Sequence, residues 1–186
     1  MAHYDGPVSV DASSFDAFVT ATNGNSYDFD YISGCQCVDL AKLLNYQLGY
    51  PSPYWSTGGT GSAYGGWTDD SARAFNAGTQ YTLIYDVTQV KRGDMIVFNH
   101  YTGNIYGHVG FAYDDYNNPN NIRVLSQNNG GSPAPGGGTT VNIANYSLGY
   151  FLGAFRLNAW QNPQPLTHFR KKKFPWILYA RKLRKR

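Results

Sequence analysis

The apolar residues of the first 160 positions follow two different spacings. From Val38 to Leu48 they recur at helical intervals, and Gly49 and Pro51 end that helix. After residue 80, short apolar runs alternate with turns rich in Gly, Asn and Asp, which is typical of strands. Helices at the front followed by an antiparallel sheet predict an α+β fold.

The same patterns predict where the elements lie. Short helices are expected within Asp11–Val19 and over residues 67–77. The expected strands are Tyr81–Asp86, Met95–Phe98, His108–Tyr113, Arg123–Gln127, Thr139–Ile143 and Leu152–Leu157.

The charge divides the chain into an acidic body and a basic end. Residues 1–160 carry six basic and 12 acidic side chains, a net charge of −6, whereas residues 161–186 carry nine basic side chains and no acidic one. We therefore expect a catalytic domain over 1–160, a Pro-rich linker over 161–165, and a basic amphipathic tail over 166–186 that is disordered when free. No apolar run is long enough to span a bilayer, and the N-terminus does not resemble a secretory signal.

The chain has two cysteines, Cys35 and Cys37. A disulfide between residues this close would be strained, and two thiols cannot complete a tetrahedral zinc site. Either one thiol is reactive and the other is a bystander, or both are buried and inert.

Cys37 lies at the start of the predicted helix, where the helix dipole and free N–H groups favour a thiolate. The chain contains no Glu, so a histidine must serve as the base. Among the four histidines, His108 opens a predicted strand that would hold it rigidly. Gln36 offers an amide donor, and Asn128 could orient the imidazole. The plainer interpretation is that Cys37 and His108 are structural residues.

Four blocks of sequence resemble the CHAP domain family, the cysteine, histidine-dependent amidohydrolases and peptidases of phage endolysins and bacterial autolysins. The blocks are Asp28-x-Asp30-x(5)-Gln36-Cys37-Val38-Asp39-Leu40, Gly93-Asp94-Met-Ile-Val-Phe98, Gly107-His108-Val109-Gly110 and Leu125-Ser126-Gln127-Asn128.

The resemblance implies a papain-like fold and hydrolysis of an amide bond in peptidoglycan. It implies that Cys37 is the nucleophile, His108 the base, Gln36 an oxyanion-hole residue and Asn128 the residue that orients the histidine. Many members carry an acidic residue where this chain has Ser126, so a Cys-His-Asn arrangement is expected here.

Some phage members of the family also bind calcium in the loop before the nucleophile. On a twelve-residue loop the matching positions are Asp28, Asp30 and Asp39, with backbone oxygens from Ile32 and Gly34.

Aromatic side chains in loops suit a glycopeptide groove, and we expect Tyr54, Trp55 and Trp67 to line it. The expected partners are bacterial peptidoglycan and, through residues 168–186, an anionic membrane or lipopolysaccharide. No specific nucleic acid is expected, and the protein is expected to be a monomer.

The resemblance implies a lysin that stays in the host cytoplasm until lysis and then acts on the wall, or acts from outside when applied as a recombinant protein. The abrupt change of charge suggests that a cationic antimicrobial-type peptide is fused to the domain. Two alternatives are a non-catalytic wall-binding module with a membrane-active tail, and a papain-like or NlpC-type protease acting on other peptides.

Overall fold

A computed structural model describes residues 1–55, 62–101, 104–130 and 133–161. The helices are α1 (Phe15–Thr22), α2 (Cys37–Gln47), α3 (Gly65–Thr68), α4 (Asp70–Ala77) and α5 (Asn158–Gln161). The strands are β1 (His3–Asp5), β2 (Ser26–Asp28), β3 (Tyr81–Ile84), β4 (Met95–Phe98), β5 (His108–Ala112), β6 (Asn121–Ser126), β7 (Asn142–Ser147) and β8 (Phe151–Leu157). The α+β prediction is confirmed.

Six strands form one antiparallel sheet in the order β3-β8-β4-β5-β6-β7. Five of them were predicted to within a few residues. β7 was predicted over Thr139–Ile143 but begins at Asn142 and runs to Ser147. The parallel pair of β1 and β2, three residues each, was not predicted. These two strands place the N-terminal segment beside the chain that leads to Cys37.

The central strands of the sheet are buried on both faces. Leu40, Leu43 and Leu44 of α2 are fully buried in the main core, on the face of the sheet that α2 covers at β5. A second cluster that includes Phe98 and Val124 fills the opposite face. Burial on both sides explains why β4 and β5 read as continuous apolar runs.

No helix of the described residues is both long and apolar enough to cross a membrane. Except for Gln161, the predicted linker and the basic tail lie outside the described residues, and both stay predictions.

Candidate active site

Cys37 is the first residue of α2, and the side chains of Asp39 and Gln127 fix the turn that precedes it. The backbone N–H of Gln36 donates to Asp39 Oδ2 at 2.8 Å, which starts the helix. Gln127 Nε2 donates to the carbonyl of Gln36 at 3.0 Å and to that of Tyr27 at 2.7 Å. The Tyr27 N–H donates back to Gln127 Oε1 at 2.8 Å. The turn before Cys37 is therefore tied both to the end of β6 and to β2.

The packing of α2 on β5 brings Cys37 beside His108. His108 is the first residue of β5 and only 3% exposed. The backbone N–H of Val109, the next residue, lies near the Cys37 thiol and opposes the rise of its pKa. Two residues from distant parts of the sequence thus meet at the start of a helix and the start of a strand.

Two hydroxyl groups hold the imidazole of His108. Its Nε2 lies 3.0 Å from Ser126 Oγ and 2.8 Å from the Tyr146 hydroxyl. The rings of His108 and Tyr146 stack with centroids 4.8 Å apart. The ring of Phe98 also stacks on that of Tyr146, with centroids 4.9 Å apart. Asn129 Nδ2 donates to Ser126 Oγ at 2.7 Å. A proton on Nε2 would be shared with these oxygens, which leaves the lone pair on Nδ1 to act as a base.

Asn128 does not make the contact predicted for it. Its backbone is left-handed, with φ 59°, so the chain turns away after Gln127 and the side chain is exposed. The amide Nδ2 donates instead to Gln36 Oε1 at 2.9 Å. The orienting contact belongs to Ser126 and Tyr146, which corrects the expected Cys-His-Asn arrangement. Gln36 Nε2 donates to the Ser33 carbonyl at 2.6 Å, and the oxyanion role of Gln36 stays a prediction.

Burial sets the protonation of the pair. It raises the pKa of Cys37 to about 11, although the backbone N–H of Val109 acts in the opposite direction. Burial also lowers the pKa of His108 to about 3. The helix start was expected to lower the pKa of Cys37, but in this structure desolvation of the thiolate outweighs the helix dipole. Thiol and imidazole are therefore both neutral in the free protein at pH 7.

Three carboxylates cluster beside the turn that precedes Cys37. Asp28, Asp30 and Asp39 each place one oxygen within 4.8 Å of the other two. Among the described residues, Asp28 Oδ1 and Asp39 Oδ1 are buried without a hydrogen-bond partner, while Asp30 pairs with the Lys42 ammonium. Burial raises the pKa of Asp39 to about 7. Orphaned carboxylate oxygens are ligands that a hard cation such as Ca²⁺ prefers, so these residues fit a calcium ion.

Comparison with known proteins identifies the family. A sequence model of the CHAP domain matches residues 25–128, more than half of the chain. This chain belongs to the CHAP domain family. No curated protein matches the chain.

Solved structures include similar folds. The endolysin LysIME-EF1 is similar over 77% of this chain, with 22% identity and a TM-score of 0.59. This chain spans 64% of the length of that endolysin. Ly7917 is similar over 66% of this chain and 53% of its own, with 19% identity and a TM-score of 0.43. The likeness to LysIME-EF1 confirms the papain-like fold.

Two of the predicted groove residues of this CHAP domain are core residues. Trp55 and Trp67 are both buried, and Trp67 meets Phe155 edge-on with centroids 5.0 Å apart. A Cβ on Gly153 would lie 1.8 Å from the Trp67 ring, so a glycine is required where β8 passes that ring. The structure places Trp55 and Trp67 in the core rather than on an open surface, and their predicted role in substrate binding stays a prediction. Tyr54 is exposed, and its role in binding stays a prediction.

Cys35 has different neighbours from Cys37. It is fully buried, and its Sγ lies 3.7 Å from His3 Nδ1. Its backbone N–H donates to the carbonyl of Gly137 at 3.0 Å. Cys35 thus links the N-terminal strand to the segment that contains Gly137.

Sequence reasoning missed Tyr146 as a site residue. The predicted strand ended at Ile143, three residues short of Tyr146, so the alternation of the following residues was not used. Ser126 was noted only for its lack of a carboxylate. The stack of Tyr146 on His108 depends on strands that are far apart in sequence.

The buried imidazole of the CHAP domain predicts a loss of stability in acid. The folded-state pKa of His108, about 3, lies below its ordinary value of 6.5. As the pH falls from 6.5 towards 3, the unfolded chain takes up a proton that the folded protein excludes. We therefore expect the free energy of unfolding to decrease relative to that of His108→Gln, by up to about 1.4 kcal/mol per pH unit. Chemical denaturation of both proteins at pH 4, 5, 6 and 7 measures this difference.

His100→Gln is the control, since His100 is exposed. Parallel stability curves for the parent and His108→Gln over this pH range would contradict the predicted burial of a neutral imidazole.

Proposed function

We propose that this CHAP domain is a peptidoglycan hydrolase of the endolysin type, which cleaves an amide bond of the bacterial cell wall by a thiol mechanism. The observation that carries the proposal is the placement of Cys37 at the start of α2 against the strand that begins with His108. The family match and the endolysin-like fold support it. The masses of the products distinguish cleavage of the bond between N-acetylmuramic acid and L-alanine from cleavage of a peptide bond.

The geometry supports a general-base mechanism. His108 Nδ1 accepts the thiol proton as the Cys37 sulfur attacks the carbonyl carbon of the amide. Free N–H groups in the first turn of α2 stabilise the oxyanion of the tetrahedral intermediate. The imidazolium, held by Ser126 and Tyr146, then gives its proton to the leaving amine, and a thioester remains on Cys37. Water, deprotonated by His108, hydrolyses the thioester and releases the carboxylic acid.

Digestion of purified peptidoglycan tests this function. Soluble products are separated and weighed by mass spectrometry, and the masses together with new amino groups name the bond that was cut. The matched control is Cys37→Ala. Binding of the walls without release of fragments would contradict hydrolysis and support a wall-binding module. Cleavage only of peptides unrelated to the wall would support a general papain-like protease.

We also propose that Asp28, Asp30 and Asp39 hold one Ca²⁺ ion, with Ile32 and Gly34 as candidates to add backbone oxygens. The ion would supply positive charge beside the turn that carries Cys37. Two buried oxygens without partners and the raised pKa of Asp39 support this proposal. Without a cation, the folded protein holds the Asp39 proton more tightly than the unfolded chain, so it loses stability as the pH rises from about 4 to about 7.

Removal of calcium is expected to lower both stability and activity. At calcium concentrations about 100 times the dissociation constant, binding contributes about 2.7 kcal/mol, which corresponds to a fall in melting temperature of about 5 °C when EDTA is added. Asp39→Asn should abolish this response, whereas Asp70→Asn, at an exposed surface carboxylate, should keep it. Calorimetry with EDTA and with added Ca²⁺ measures the melting temperature of each protein, and wall hydrolysis in the same buffers measures activity. Equal melting temperatures in the two buffers would contradict the site.

For the basic tail we propose a role in binding the envelope. Residues 168–186 combine two basic clusters with the apolar run from Phe174 to Ala180. Such a segment suits an anionic membrane surface or lipopolysaccharide, whereas the body is acidic and gains no electrostatic attraction to an anionic wall.

Deletion of residues 166–186 is therefore expected to reduce killing of intact bacteria about tenfold or more, since each basic residue near an anionic surface contributes about 1 kcal/mol. Hydrolysis of purified walls should change little. Viable counts and wall-turbidity assays on the full chain and the deletion measure the two effects. An equal loss in both assays would show that the tail acts in catalysis or folding instead.

A further inference from the structure

Three tyrosines form an exposed surface that the mechanism above does not use. Tyr101 and Tyr106 lie in the β4–β5 hairpin, and Tyr150 lies just before β8; we call them the tyrosine platform. Their exposed fractions are 38%, 54% and 43%. Exposed aromatic rings that pack together, as those of Tyr101 and Tyr150 do, often mark a binding site.

The tyrosine platform is held rigid by hydrogen bonds of its backbone. Tyr101 and Asn104 exchange backbone hydrogen bonds of 3.0 and 2.8 Å. The carbonyl of Tyr106 accepts from the Ser62 hydroxyl at 2.9 Å and from the Tyr64 N–H at 3.1 Å. The rings of Tyr101 and Tyr150 pack with centroids 5.2 Å apart. Little conformational entropy remains to be lost when a ligand binds such a surface.

The platform continues into the catalytic centre. The hairpin that carries Tyr101 and Tyr106 joins Phe98 to His108, and these two residues are paired across β4 and β5. Tyr146, the ring that stacks on both, has its pKa raised first by burial and also by its closeness to Cys37 and to Tyr101. The platform therefore adjoins the strand that begins with His108.

The chemistry of the platform is neutral and amphipathic. Neither the stretch 98–107 nor the stretch 147–151 contains Asp, Glu, Lys or Arg. Among the described residues, the hydroxyls of the three tyrosines have no hydrogen-bond partner. Aromatic faces with polar tips suit a ligand that has both apolar faces and hydroxyl or amide groups. A carboxylate-rich peptide would find no positive charge there.

We propose that the tyrosine platform is a subsite for N-acetylated sugar rings of a glycan strand, beside the bond that Cys37 attacks. This inference rests on the proposed function, because it assigns part of the same substrate to a surface next to the catalytic pair. The sugar rings lie against the tyrosine faces, and their hydroxyl and acetamido groups reach the phenol oxygens.

Binding can be measured apart from catalysis in the full chain carrying Cys37→Ala. The probe is the neutral tetramer of N-acetylglucosamine, titrated by calorimetry or by NMR. We expect saturable binding that becomes about tenfold weaker or more when Tyr101→Ala and Tyr150→Ala are added together, since each ring contact contributes modestly. Tyr101→Phe with Tyr150→Phe keeps the ring faces and should retain most of the affinity. Phe75→Ala, at an exposed aromatic residue of α4, is the matched control.

The outcomes separate this subsite from the proposed hydrolysis. Undiminished binding after both alanine substitutions, or no binding of the tetramer by Cys37→Ala, would overturn the subsite even if the parent protein digests walls. Loss of affinity for a free stem peptide, with no effect on the sugar tetramer, would overturn it as well. Weakened tetramer binding with unchanged melting temperature supports it, including in a protein that releases no wall fragments.

Discussion

Replacing Cys37 with alanine is expected to lower the rate of wall hydrolysis by about 10³-fold or more, because no other nucleophile in the site can form the thioester. The protein should remain folded, since Cys37 is only partly buried and alanine is a good helix residue at the first position of α2. Turbidity loss of purified walls gives the rate, and the melting temperature verifies the fold.

Cys35→Ala is the matched control for the thiol. Cys35 is fully buried and contacts His3 rather than His108, so its loss should affect stability more than the rate at low temperature. If Cys37→Ala digests walls as fast as the parent protein, Cys37 is not the nucleophile and the proposed mechanism fails.

Removing both hydroxyls that contact His108 should cause the second-largest loss of kcat. Ser126→Ala and Tyr146→Phe each delete one partner of Nε2, and we expect each to lower kcat about tenfold, because a hydrogen bond to a developing charge is worth more than about 1 kcal/mol. The double variant should lose about 100-fold. Steady-state kinetics on a soluble wall fragment measures kcat and KM separately, and KM should change little.

The pH profile distinguishes positioning from a general loss of structure. Without the hydroxyls the imidazolium is less stabilised, so the acidic limb of kcat should change in the variants while the melting temperature stays close to that of the parent. Ser126→Asp, which restores the acidic residue of many CHAP domains, should be more active than Ser126→Ala. Tyr113→Phe is the tyrosine control. If KM rises while kcat stays the same, the two hydroxyls do not act on His108.

The sequence predicted the fold where burial leaves a simple pattern. β4 and β5 are buried on both faces, so their apolar residues form continuous runs that can be recognised without a structure. β7 lies at the edge of the sheet and is only partly buried, so its pattern is weaker and its start was misplaced. β1 and β2 have three residues each, too few for a periodic pattern.

For the candidate site, the sequence predicted the two central residues but not the side chains that hold them. Cys37 and His108 were predicted as the catalytic pair mainly because they fall in blocks that resemble the CHAP family, and the structure places them at the start of α2 and the start of β5. The partners of His108 depend on strand pairing: Tyr146 pairs with Ile122, and only that register brings its ring to the imidazole. The left-handed backbone of Asn128, which directs its amide to Gln36, depends on the turn after β6.

The side-chain amide of Gln127 bonds to Tyr27 on β2 and to the Gln36 carbonyl just before Cys37, and Gln127 itself directly follows Ser126. One residue therefore connects the carboxylate cluster, Cys37 and the hydroxyl that contacts His108. Local opening at Gln127 would disturb all three together. The proposed catalysis and the proposed cation binding would then be lost together in one cooperative step.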